Sequence, residues 1–293
     1  MAVMLDFSPA DITMSERYTL IKHLPSGGFG NVIVVFDRQL NRELVVKSLI
    51  NPSPENRQRF AREAAILSHL LPHEHIVDII EARLDTANPY IVLEYCKHGT
   101  LQDWIANRGL FGPSEINVGY AIQHAALGLH AIHEVGGFHR DIKPANLFIG
   151  NNRNGQLTIK LGDFGLGRVP YQHAYSNMTR HACGTMGYIA PELYLSGAVF
   201  TRACDIYSLG ITGIELLTGS RDPESINKAW LFNIELKDLL IKMTNGNPLE
   251  RPTALRVAQS IEQVEKKQNE NVAAVVLGGL AIVGLWMLLR RQN

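Results

Sequence analysis

Asp141, Lys143 and Asn146, in "FHRDIKPANLFI" (138–149), place a carboxylate, a cation and an amide with affinity for metal within six residues. Asp163, in "LGDFG" (161–165), adds a second oxygen ligand of the kind Mg²⁺ prefers. Far upstream, "LPSGGFGNV" (24–32) is a glycine-rich turn. Glycines let backbone N–H groups approach phosphate oxygens with no Cβ in the way. Alone such a turn is usually just a hairpin. Here it is followed by Lys47 in "VVK", on an apolar strand, and by Glu63 in "RFAREAAIL". That glutamate is a partner able to hold the lysine against the α and β phosphates of a nucleotide.

These groups lie far apart in sequence, so folded elements must bring them together. Tyr18–Leu24, Asn31–Asp37 and residues 43–49 are rich in Val, Ile and Leu and predict β-strands, the first two joined through Gly27, Gly28 and Gly30 as in a tight hairpin. Residues 54–71 predict a helix with its charges on one side, and 76–84 and 90–94 predict two further strands. The chain then changes character. Ser114 has the chemistry of an N-cap and Gly136 that of a stop. Between them Val118, Ile122, Ala125, Leu129 and Ile132 recur at helical spacing on one face. Residues 205–217 are apolar nearly all round, which predicts a fully buried helix. The expected class is α+β, a small β-rich lobe followed by a larger helical lobe.

Seven motifs now stand in order: the glycine-rich loop, the strand lysine, the helix glutamate, H-R-D…N, D-F-G, A-P-E and a late arginine. Together they resemble the eukaryotic-type (Hanks-type) serine/threonine protein kinases, from about Tyr18 to Glu262. The resemblance implies a bilobal protein-kinase fold, with an N-lobe at 18–95 and a C-lobe at 96–262. It implies ATP and Mg²⁺, or Mn²⁺ in its place. It also implies roles. Leu24, Gly27, Gly28 and Gly30 enclose the nucleotide, and Val32 packs on adenine. Lys47, held by Glu63, contacts the α and β phosphates. Leu93 stands as gatekeeper, and the backbone of Glu94 and Cys96 as the adenine-binding hinge. Asp141 orients the substrate hydroxyl and accepts its proton, Lys143 neutralises the γ-phosphoryl, and Asn146 and Asp163 hold the metal.

"CGTMGYIAPE" (183–192) closes an activation segment that begins at Asp163. Kinases of small metabolites generally lack one, so the resemblance implies a protein substrate, of unknown identity. Lys143 with Thr185 resembles the serine/threonine branch. Arg140 before Asp141 implies control by phosphorylation, with Thr179 favoured among Tyr171, Tyr175, Ser176 and Thr179. Glu192 and Arg251 match a buried pair that braces the helical lobe, and Asp205 a residue that ties the catalytic loop to the buried helix. Pro25, Val45, Met186 and Tyr207 depart from the commonest spellings, and residues 220–239 are short for the helices that often dock substrates. "DIKPAN" and "GYIAPE" suit bacterial or phage-borne members as well as eukaryotic ones.

Lys plus Arg and Asp plus Glu are equal at 28 each, which argues against nucleic acid held by bulk charge. Cys96, Cys183 and Cys204 are too scattered for a disulfide framework and fit a reducing compartment. The first residues have neither the basic nor the apolar region of a signal peptide. His130, His133 and His139 suggest a zinc set, but helical packing and the motif pattern explain them better. The last stretch, Val272 to Leu289, carries no charge and no strongly polar residue. As a helix it would reach about 27 Å, close to the roughly 30 Å of a hydrocarbon core.

The expected organisation is thus an N-terminal extension (1–17), a kinase domain (18–262), a polar linker (263–271) and a transmembrane helix (272–289). Lys266 and Lys267 on one side and Arg290 and Arg291 on the other are too balanced to orient the span. Cytosolic ATP orients it instead, giving a single-pass tail anchor with the kinase domain cytoplasmic and the C-terminus on the far side. Ala274 and Gly278 form a small-xxx-small pair through which two copies could make a homodimer. The expected function is ATP- and Mg²⁺-dependent phosphorylation of serine and threonine on proteins, autophosphorylation included, at a membrane. The alternative is a pseudokinase-like binding module or a membrane scaffold without catalysis. Against it stand Lys47, Asp141 and Asp163, the residues such modules typically lose.

Overall fold

The structure is a computed structural model that describes residues 16–25, 31–49, 52–70, 72–106, 115–164, 184–229, 234–264 and 266–267. Strands β1 (Tyr18–Leu24), β2 (Asn31–Asp37), β3 (Arg42–Ser48), β4 (Ile79–Arg83) and β5 (Tyr90–Glu94) form one antiparallel sheet in the order β1-β2-β3-β5-β4. Side chains alternate across a strand, and this sheet uses both faces. Ile33, Val35, Leu44, Val46 and Val92 make a small buried core. Their neighbours Val32, Val45, Lys47 and Leu93 line a cavity. Helix α1 (Pro54–His69) starts at Ser53, whose hydroxyl accepts the Asn56 N–H at 3.2 Å, with proline in the first turn. Its Phe60 and Ala64 pack with Leu49 and Ile91, which turns Glu63 toward the strand lysine.

The helical lobe contains α2 (Leu101–Ala106), α3 (Glu115–Glu134), the hairpin β6 (Leu147–Asn151) and β7 (Leu157–Leu161), α4 (Arg202–Thr218), α5 (Ser225–Lys228), α6 (Ile234–Met243) and helical residues 254–264. The face predicted for α3 is the buried one: Val118, Ile122, Ala125, Leu129 and Ile132 all lose solvent contact. Helix α4 is buried nearly all round, as its composition predicts, and Gly219 ends it in the left-handed conformation (φ 77°). No helix of the described residues is long and apolar enough to cross a membrane. The span expected at 272–289 and the cap expected at Ser114 lie outside the described residues.

One element differs from its prediction. Residues 76–84 were expected to form a single strand, but β4 begins only at Ile79. The preceding residues pair with the other lobe instead. Ile76 bridges Leu161, Leu161 N–H donates to His75 O at 2.9 Å, and Val77 N–H donates to Leu161 O at 2.9 Å. Gly128 on α3 permits this close passage, because a Cβ there would come within 2.6 Å of His75 O. Apolar composition marks these residues as buried, not which lobe they pair with.

Beside this junction lies a histidine cluster that depends on neutral rings. His75 stacks on His124 at 4.4 Å between centroids, and Thr158 Oγ1 lies 2.9 Å from His75 Nδ1 and 3.3 Å from His124 Nδ1. The Ile159 N–H donates to His124 Nδ1 at 3.3 Å, a bond only an unprotonated nitrogen accepts. Burial, then the neighbouring His124 and His73, push His75 down to about 4, against a raising contribution from Glu74. A histidine held neutral by the fold stabilises it above its unfolded pKa of about 6.5. That stability is lost as pH falls from there toward 4. Thermal unfolding midpoints recorded between pH 7.5 and 4.5 are therefore expected to fall less steeply for His75→Gln than for the wild type. Parallel curves would contradict the assignment.

Candidate active site

Lys47, on β3, makes a forked ion pair with Glu63 of α1, its Nζ lying 2.9 Å from Oε1 and 2.8 Å from Oε2. Asp163 Oδ1 is a further 3.3 Å contact. Burial works against the ammonium, but Glu63 and then Asp163 outweigh it, so its pKa is raised and the lysine stays charged. Burial likewise opposes the Asp163 carboxylate, and Lys47 overcomes it, holding that carboxyl below its ordinary range.

The loop that carries Asp141 is anchored from below. Asp205, fully buried on α4, accepts the N–H groups of His139 (3.1 Å) and Arg140 (2.9 Å) and lies 2.9 Å from His133 Nε2. His139 Nε2 lies 3.1 Å from Gly162 O, so that nitrogen carries the proton. Its other nitrogen then accepts the Asp141 N–H at 3.4 Å. One buried ring thus joins the Asp141 loop to the residue before Asp163. Arg140 (φ 71°) and Asp163 (φ 59°) both occupy the left-handed region. Non-glycine residues there cost roughly 1–3 kcal/mol each and persist only where neighbours fix them. The Asp205 carboxylate does this for Arg140, whose N–H it holds. Phe164, with no exposed surface, packs on the His139 ring at 4.7 Å.

Asp141 is bonded through both oxygens. Oδ2 accepts from Lys143 Nζ (2.8 Å) and Asn146 Nδ2 (3.0 Å). Oδ1 accepts from the Thr185 hydroxyl (2.7 Å) and N–H (3.1 Å). The Thr185 hydroxyl in turn accepts from Lys143 Nζ at 2.7 Å, which closes a triangle between the Asp141 loop and the segment that carries Thr185. Asn146 Nδ2 also donates to Asp141 O at 2.7 Å, so its Oδ1 is the atom left to bind a cation.

These groups end a cavity of about 880 Å³ between the lobes. Leu24, Val32, Val45, Leu93 and Phe148 make one part apolar, suited to a flat base, while Lys47, Asp141 and Asp163 charge the other. Glu63, Glu94 and Cys96 line it too; Lys143 and Asn146 reach it through Asp141. At the hinge, Glu94 N–H is committed to Asp78 O (2.9 Å) and Cys96 O to Gly99 N–H (3.2 Å). A nucleotide base there would be left Glu94 O and Cys96 N–H. Burial, then Glu94, push the Cys96 thiol up to about 12, so it stays protonated and unreactive. The site also fits a divalent cation. Asp163 is half exposed at the mouth, and Asn146 offers an amide oxygen, both hard donors. Among the described residues no three His, Cys, Asp or Glu side chains form a metal site, and His133 and His139 are engaged as above.

Below the site, Arg251 grips Glu192 in a fork, with both nitrogen–oxygen distances 2.7 Å, and also donates to Ala203 O and Asn245 O. The pair fastens the end of the activation segment to the helical lobe. Gly27, Gly28, Gly30 and Thr179 lie outside the described residues.

Sequence reasoning missed a buried ion pair behind the hinge. Lys160 Nζ on β7 lies 3.0 Å from Glu94 Oε2, and its side chain is 5% exposed. The pair ties the hinge to the strand that runs into Asp163. The signal was present: a lysine between Ile159 and Leu161 in the strand "LTIKL" needs a buried partner.

Residues 18–263 match the family described as Protein kinase domain. The chain is 30% identical over 246 residues to the probable serine/threonine-protein kinase zyg-1 of Caenorhabditis briggsae, covering 82% of this chain and 33% of that one. It is 31% identical over 221 residues to an L-type lectin-domain containing receptor kinase of Arabidopsis thaliana (73% and 31%). It is 27% identical over 287 residues to a probable serine/threonine-protein kinase of Clostridium perfringens (89% and 40%). The chain thus spans between about a quarter and two-fifths of the length of the curated relatives it matches.

Proposed function

The chain belongs to the protein kinase family, and on that premise we propose that it is a serine/threonine protein kinase using ATP and Mg²⁺. The observation that carries this is the triangle of Asp141, Lys143 and Thr185 at the charged end of a cavity whose other end is apolar. Asp141 is held through both oxygens at the cavity's edge, where it can orient an acceptor hydroxyl and take its proton. Lys143 sits 2.8 Å from it, a fixed cation for charge developing on the transferred group. Lys47, kept charged by Glu63, positions the nucleotide phosphates. Asn146 and Asp163 would hold Mg²⁺, which when bound neutralises phosphate charge during transfer. No side chain is called on as a covalent nucleophile, and the work is positioning and electrostatics. The test is to supply γ-labelled ATP and Mg²⁺ with a generic protein acceptor and hydrolyse the product. Label in phosphoserine and phosphothreonine supports the reading; label confined to phosphotyrosine contradicts it.

The same reading includes a membrane tether, supported by the uncharged run at 272–289. Such a tail confines the enzyme to a surface and raises its effective concentration near membrane substrates and its own copies. Deleting residues 271–293 is expected to release a soluble enzyme that still autophosphorylates. A truncated protein that stays with membranes after a salt wash would show that the anchor lies elsewhere.

A further inference from the structure

Thr185 is pinned to Asp141 and Lys143, so the residues after it form the wall beside the acceptor hydroxyl. Met186 is 81% exposed on that wall, and Tyr188 is buried. Consecutive Cα atoms lie about 3.8 Å apart, so Tyr188 is within about 11 Å of Thr185. That distance matches roughly three residues of an extended peptide.

An acid lies beneath Tyr188. Glu215, on α4, has a side chain only 8% exposed and accepts the Tyr188 O–H. Such a carboxylate beside a peptide-binding wall would be a recess for a basic side chain of the substrate. Arg221 occupies that position from within the chain. Its Nε donates to Glu215 Oε1 at 3.0 Å, and its guanidinium carbon lies 4.8 Å from the centre of the Tyr188 ring. Gly187 gives it room: at φ 94° a Cβ would come within 3.0 Å of Arg221 Cδ. The arginine side chain is 46% exposed, so the cation stays open to solvent next to Gly187.

We propose that Arg221, with Met186, selects the peptide substrate. Arg221 closes the Glu215 recess to basic side chains and offers its own cation to an acidic one, while Met186 takes an apolar neighbour. The inference rests on the kinase reading above and names its substrate class: protein segments acidic and apolar, not basic, around the acceptor.

The test measures kcat/KM for peptides that differ only by Glu or Arg at each of the three positions on either side of the acceptor. The wild type is expected to prefer Glu over Arg by about tenfold at one or more of them, the scale of a charge-assisted contact. Arg221→Ala removes that cation and is expected to abolish or reverse the preference, whereas Arg221→Lys keeps its sign. A ratio between two peptides on one preparation is unaffected by partial loss of folded protein. An unchanged ratio in Arg221→Ala, or a wild type that prefers the Arg peptides, overturns the proposal. A wild type that phosphorylates no peptide or protein at all would instead contradict the kinase reading.

Discussion

Lys47→Met is expected to lower kcat/KM for ATP by about 10²–10³-fold, the usual cost of removing one preorganised electrostatic group. Methionine fills a similar volume, so the sheet around it has no reason to change. What disappears is the cation that Glu63 holds through two contacts of 2.9 and 2.8 Å. Stability responds separately from activity. Glu63 is almost fully buried, and removing Lys47 leaves its carboxylate without its partner. The Lys47 side chain keeps 28% exposure, so water moderates the loss. The unfolding midpoint of Lys47→Met should therefore fall, and Lys47→Met with Glu63→Gln should recover stability but not activity. A double variant that regained phosphoryl transfer would show that the lysine is only a structural partner of Glu63.

Asp141→Asn is expected to lower kcat by about 10²–10⁴-fold, the range for removing a positioned general base, while KM for ATP changes little. The amide matches the carboxylate in size, but its single oxygen can accept either from Thr185 or from Lys143 and Asn146, so about half of the bonds that hold Asp141 persist. It cannot take a proton from an acceptor hydroxyl. A fall in kcat at constant KM marks an interaction made only in the transition state. If KM for ATP rose while kcat held, Asp141 would be a nucleotide-binding residue and its assigned role would be wrong.

Much of this site was legible in the sequence, because its chemistry is carried by residues close together along the chain. Asp141, Lys143 and Asn146 fall within one short loop, and the structure joins them by direct hydrogen bonds. The partnership of Lys47 and Glu63 was legible for a different reason: each needs the other to sit in an apolar setting. The face of α3 followed from spacing alone. What sequence did not reveal are contacts set by how the lobes meet. Nothing local says that Ile76 and Val77 abandon the sheet for Leu161, or that Lys160 meets Glu94 across the hinge. Arg221 was equally hidden. It lies in a stretch noted only for being short, and its meaning comes from Glu215 and Tyr188 beneath it.

The central claim is that Asp141 drives phosphoryl transfer in the cavity between the lobes. It is tested most directly by incubating wild type and Asp141→Ala side by side with γ-labelled ATP and Mg²⁺. Wild type alone is expected to transfer label to protein. Equal labelling by both, or labelling by neither, would contradict the account.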